Sequence, residues 1–163
     1  MGPRGLRTNS LRVCLTGVAV YKKIAIAFDE SPEAERAFRS ALELARFASA
    51  ELHVISVIEP FPAFIGYVSA AAPDVTQVLI DERRAFYEDL LKRATLHAAE
   101  AGVPIRTELA EGSEVATIVS IVERVDPDLL VVGLHHRSAD LRFLGGTAHQ
   151  LAIHLKCNIL GVH

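Results

Sequence analysis

Cysteine is scarce in this sequence, and long apolar runs and basic clusters are missing from it. The two cysteines, Cys14 and Cys157, stand far apart and match neither a paired redox motif nor a zinc knuckle, so they read as packed or incidental thiols in a reducing compartment. No stretch approaches the roughly 20 apolar residues that cross a bilayer as a helix, which points to a soluble, cytoplasmic chain with no membrane partner. The formal net charge of -3 and the absence of a local basic patch argue against nucleic acid as a partner.

What the chain does have is apolar material. Half of its 163 residues are hydrophobic, enough for one domain to bury a core without disulfides or a structural metal. At the N-terminus, Arg4, Arg7 and Arg12 precede the apolar stretch Val13 to Val20. That stretch is short, is broken by Thr16 and Gly17, and runs into Tyr21-Lys22-Lys23 where a signal peptide would carry small residues for cleavage. Residues 1–20 are therefore expected to be a leader, disordered or belonging to a mis-assigned start, and residues 21–163 to form the domain.

From Lys22 the pattern is regular. Ile24 to Phe28 has the length of a strand buried on both faces. Ser31-Pro32 then supplies an N-cap and a proline at the first helical position, where its missing N–H costs nothing. Ala34, Ala37, Phe38, Ala41, Leu44 and Ala45 follow at three- and four-residue spacing and predict an amphipathic helix. Leu52 to Ile58 reads as the second strand, Glu59 to Pro73 as a long loop, and Asp74 to Ala101 as a long helix closed by Gly102. Val103 to Leu109 is expected as the third strand, and a helix capped at Gly112-Ser113 ends at Asp126-Pro127. Leu129 to Val132 is the fourth strand and stops at Gly133; a last helix starts near Thr147, and Asn158 to Val162 closes the domain. This alternation predicts a doubly wound, Rossmann-like α/β fold of five parallel strands with helices on both faces, and ligands bind such sheets beyond the carboxyl ends of the strands. Asp29, Val57 and Gly133 stand at those ends.

Three segments together resemble the universal stress protein family, from about Tyr21 to Val162. Lys23 to Pro32 is similar to the family's opening strand and its Asp-x-Ser turn. Asp128 to Gly133 is similar to its fourth strand, and Gly133 through Gly146-Thr147 resembles its nucleotide loop G-x2-G-x9-G-[ST], with the intervening length preserved. His136 stands where the second glycine is expected. The resemblance implies an adenine-nucleotide-α-hydrolase-like cleft that takes ATP or AMP, with Mg²⁺ accompanying ATP. It implies Ala27 and Asp29 near adenine and ribose, Val57 lining the base pocket, and Val132 and Gly133 forming its floor. The phosphates would meet His136 and the N–H groups of Gly146, Thr147 and Ala148, where a helix start offers unpaired donors and a positive dipole end.

Two functions follow. One is a ligand-responsive protein of the stress response that binds adenine nucleotide and acts as a homodimer through its apolar last strand. The other is a stress-response interaction module that takes no nucleotide because His136, bearing a Cβ and a ring, replaces a glycine whose backbone would approach phosphate. The pair His135-His136 also occurs in the branch of the family named for its founding member, which is not regarded as nucleotide-binding. Catalysis is not expected beyond weak ATP hydrolysis: the glycine-rich loop or His-x-Gly-His pair of related enzymes is replaced by Phe28-Asp29-Glu30-Ser31, and no general base stands out. Asp29 reads equally as a turn cap. Adjacent His135 and His136 do not converge on one ion, His149 and His154 are five apart on their helix, and Cys157 beside His154 is expected to pack rather than react. Arg137 and Arg142 flank the loop as possible phosphate partners.

Overall fold

The computed structural model describes residues 20–61, 73–134 and 146–163. The expectations placed on residues 1–19, on most of the Glu59 to Pro73 loop, and on His135, His136, Arg137 and Arg142 lie outside the described residues. In chain order the elements are β1 (Lys23–Ala27), α1 (Pro32–Ala48), β2 (Glu51–Ile58), α2 (Pro73–Glu100), β3 (Ile105–Glu111), α3 (Glu114–Val125), β4 (Leu129–Gly133), α4 (Thr147–His154) and β5 (Asn158–Val162).

All strand pairs are parallel, in the order β3-β2-β1-β4-β5. Strand alternation divides the core into two layers. Ile24, Ile26, Leu52, Val54, Leu129 and Val131 face α1 and α2, where Ala37, Phe38, Ala41, Leu90 and Leu91 cover them. Ala25, Ile55, Leu130 and Val132 face the other way, under Ile118, Ile121 and Val122 of α3 and Leu151 of α4. The fold is thus the expected open parallel α/β sheet with helices on both faces. Because each central strand is apolar on both sides, its sequence is a continuous apolar run rather than an alternating one.

Helix boundaries follow their local chemistry. Ser31 accepts the Ala34 N–H at 3.0 Å as N-cap of α1, and Ser49, left-handed at φ 54, ends that helix. Asp126, left-handed at φ 51, ends α3 by donating its N–H to the Val122 carbonyl. Ser113 holds the N-cap position of α3 as expected, but without a side-chain hydrogen bond; the Glu59 carboxylate, from just beyond β2, accepts the Glu114 N–H at 3.3 Å. The third strand also begins later than Val103, because the Val103 N–H still donates to Ala98 as part of the α2 terminus. Pro104 then contributes only its carbonyl, to Leu52, before the strand pairing starts. In α2 burial begins at Tyr87; the preceding turns leave Val75, Val78, Leu79, Ile80 and Phe86 exposed.

Asp128 locks the amino end of the sheet. Its Oδ2 accepts the N–H groups of Lys22 and Lys23 at 2.7 and 2.9 Å. Those two bonds hold its carboxyl below the usual carboxylate range.

Candidate functional site

Strand order determines where a cleft opens. The chain builds outward from β1 to β2 and β3, then crosses back to lay β4 and β5 on the other side of β1. The connections at the carboxyl ends of β1 and β4 therefore leave in opposite directions, and a crevice forms between them.

The β1 side of the crevice is built tightly. Phe28 donates its N–H to Ile55 at 2.8 Å, and its carbonyl accepts the hydroxyl of fully buried Ser56 at 2.6 Å. The chain then turns sharply, with Asp29 Oδ1 accepting the Ser31 N–H at 2.9 Å. Asp29 thus serves as the turn cap and also lines the cleft. Glu30, the next residue, accepts the Tyr87 hydroxyl at 2.7 Å, which ties the turn to α2. Burial of Tyr87 and the neighbouring Glu30 carboxylate push that phenol above its ordinary range, so it is a proton donor throughout the physiological pH span.

On the β4 side, Gly133 is a point of close approach. A Cβ there would lie 2.7 Å from the backbone of both Glu33 and Ala34, the first turn of α1. The glycine therefore has a packing duty, which lets α1 sit against the end of β4. Gly146, by contrast, has open space around its Cβ position and a negative φ of -72. Its carbonyl accepts from His149 and Gln150 at the start of α4.

These elements enclose a cavity of about 210 Å³ lined by Ala27, Asp29, Val57, Val132, Gly133, Thr147 and Ala148. Seven of the expected residues meet there. Gly146 adjoins the cavity through its neighbour Thr147 without lining it, and His136 lies outside the described residues. Ser31, Ala34, Ile55, Ile118 and Glu114 also line the cavity; the sequence reading singled out none of these five as site residues. Glu114 is the consequential omission. Its Oε2 accepts the Thr147 hydroxyl at 2.8 Å, joining the first turns of α3 and α4 across the cleft. The only local signal is an acidic residue directly after Gly112-Ser113, which any helix start favours. A larger concavity of about 410 Å³, lined by Phe61, Ile80 and Arg83 among others, contains none of the expected residues.

The remaining candidates stay apart. His149 and His154 are exposed, and no group of three or more His, Cys, Asp or Glu side chains suited to a metal occurs among the described residues. Burial pushes the Cys157 thiol up; it packs in the α3–α4 layer, where a protonated thiol serves as an apolar side chain. Among the described residues no helix is long and apolar enough to cross a membrane.

An open parallel sheet with a crevice at its switch point defines the class of ligand-binding α/β domains. Sequence comparison narrows the class, since the profile of the universal stress protein family matches residues 20–163. A universal stress protein of Methanocaldococcus jannaschii is 31% identical over 147 residues, covering 90% of this chain and 84% of that one. The chain belongs to the universal stress protein family. Among solved structures, a universal stress protein in complex with cAMP superposes with a TM-score of 0.63 at 24% identity, over 88% of this chain and 97% of that one. A family protein from Arabidopsis thaliana with AMP bound superposes with a TM-score of 0.63 at 21% identity, over 86% of this chain and 90% of that one.

Proposed function

We propose that the chain is a ligand-responsive protein that binds adenine nucleotide in the cleft between β1 and β4 and acts as a homodimer paired along β5. The observation that carries this reading is the convergence of Ala27, Asp29, Val57, Val132, Gly133, Thr147 and Ala148, drawn from four separate segments of sequence, on one cavity. Two family members of the same fold are described with cAMP and AMP, which favours an adenine ligand here.

The residues fit the base and sugar. Ala27, Val57 and Val132 offer apolar walls of modest size to a flat ring, and Asp29 offers a carboxylate at the rim that would accept ribose hydroxyls. Phosphate would lie over α4, where the N–H groups of Thr147 and Ala148 precede the first intrahelical bonds, which His149 and Gln150 donate to the Gly146 carbonyl. At about 210 Å³ the cavity is below the ~300 Å³ at which pockets for drug-sized ligands begin, so a phosphate tail extends outward. Magnesium would accompany ATP through its phosphates rather than through a protein cage. No described residue is poised as a general base beside the α4 terminus except carboxylates already engaged in hydrogen bonds, so binding rather than turnover is the function proposed.

Calorimetric titration of the nucleotide-free protein with AMP and with Mg-ATP, beside a His136→Gly variant, tests this. Micromolar binding by the native chain is expected. Binding by the variant alone would assign the native protein to the interaction-module role, and binding by neither would remove nucleotide from the account.

A further inference from the structure

The turn that carries Asp29 is held by side chains. Asp29 and Glu30 make no backbone-to-backbone hydrogen bond among the described residues. The chain enters the turn at Phe28, which is fixed to Ile55 and Ser56 of β2, and leaves it at Ser31, whose hydroxyl caps α1. Between those anchors stand two side-chain bonds. Asp29 Oδ1 accepts the Ser31 N–H at 2.9 Å, and Glu30 Oε2 accepts the Tyr87 hydroxyl at 2.7 Å. The first lies within the turn and moves with it; the second ties the turn to α2.

Tyr87 is suited to that duty. It is only 6% exposed and belongs to the core layer that contains Phe38, Leu90 and Leu91, so its ring is held by packing, and a buried phenol requires an acceptor. The acceptor is an exposed carboxylate, which makes the bond charge-assisted and stronger than one between neutral groups. Burial first, then the Glu30 carboxylate and more weakly that of Asp29, disfavour the phenolate, against the opposing influence of Arg83 one turn earlier on α2. The hydroxyl therefore remains a donor, and the tie does not depend on pH in the physiological span.

We infer that Tyr87 is a positioning residue for the cleft: through Glu30 it holds the Asp29 carboxylate where it accepts ribose hydroxyls, so that recognition of the sugar depends on α2. This rests on the adenine-binding reading above. One planar peptide unit joins Asp29 to Glu30, so fixing the Glu30 side chain restricts the orientation of its neighbour. Without the tie the turn samples other orientations, and affinity for the sugar falls with the fraction of molecules in the competent one. The base walls Val57 and Val132 belong to strands, so contacts to adenine persist.

The experiment compares dissociation constants of AMP and of dideoxy-AMP, which has the same base and charge but lacks both ribose hydroxyls, for the full chain and for Tyr87→Phe, Glu30→Ala and Glu30→Gln. The native protein is expected to favour AMP by about tenfold, the size of a hydrogen bond to a charged group. Tyr87→Phe, which keeps the ring, and Glu30→Ala are each expected to shrink that preference by about three- to fivefold. Combining the two is expected to cost no more than either alone, because both remove one link. Glu30→Gln, which keeps an acceptor for the phenol, is expected to retain the preference. A merely structural role would weaken both ligands alike and leave their ratio unmoved. Glu30 is exposed, so its variants carry the test even if Tyr87→Phe folds poorly. Retention of the full preference in Glu30→Ala would overturn the inference and leave the adenine reading intact, as would equal binding of the two ligands by the native protein. Failure of the native protein to bind either ligand would overturn both.

Discussion

Gly133 meets Ala34 across the cleft so closely that a Cβ on the glycine would stand 2.7 Å from the Ala34 backbone nitrogen. The end of β4 and the start of α1 thus share a boundary with no room for a side chain. Backbone lines both sides of it, so neither can give way as a flexible side chain would.

Gly133→Ala is accordingly expected to destabilise the fold by about 1–3 kcal/mol, the usual cost of overpacking a filled site, and to weaken AMP binding by displacing α1 with Asp29 and Ser31. Gly146→Ala, with open space at its Cβ and an ordinary φ, is expected to cost well under about 1 kcal/mol. Chemical denaturation of the two variants checks the contrast, and equal losses would show that Gly133 has no such packing duty.

Acid stability follows from Asp128. The bonds from the Lys22 and Lys23 N–H groups lower its folded-state pKa, so its contribution is fully present above the unfolded value of about 3.9 and is lost as pH falls through the lower folded value. Asp128→Asn is expected to reduce stability near neutral pH and to flatten the decline below about pH 4. Denaturation midpoints across the acid range measure this; a variant that loses stability with acid as steeply as the native protein would remove Asp128 from the account.

Pairing along β5 predicts a mass. Light scattering at micromolar concentration is expected to give twice 17.7 kDa. The strand is an edge of the sheet whose Ile159, Leu160 and Val162 are only partly buried, and such an edge invites a second copy. A monomer mass would refute the pairing.

The architecture was legible in the sequence because each element carried its own signal. Ile24 to Phe28 and Leu129 to Val132 are unbroken apolar runs, which only strands covered on both faces require, and Ser31-Pro32 marks a helix start by capping and proline geometry together. The cleft was legible in part: the distance from Gly133 to Gly146-Thr147 pointed to one locus, and the structure brings Gly133 and Thr147 to the same cavity. The role of Gly133 was not legible, since its tight contact is with Glu33 and Ala34, a hundred residues earlier in the chain. Glu114 escaped notice for the same reason. Its partner Thr147 is 33 residues away, and only the crossover through β4 places the two helix starts side by side. The cap of α3 stands at Ser113 as the sequence indicates, but the side chain that accepts from its first turn is Glu59, from just beyond β2, a long-range acceptor with no local signal.

The location of the ligand is the central claim, and backbone amide shifts of isotope-labelled protein titrated with AMP measure it most directly. The account predicts saturable shifts clustered at Ala27, Asp29, Val57, Val132, Gly133, Thr147 and Ala148, with the outer strand β3 and the exposed turns of α2 unmoved. Shifts centred instead on Phe61, Ile80 and Arg83, or no shifts at millimolar AMP, would contradict it.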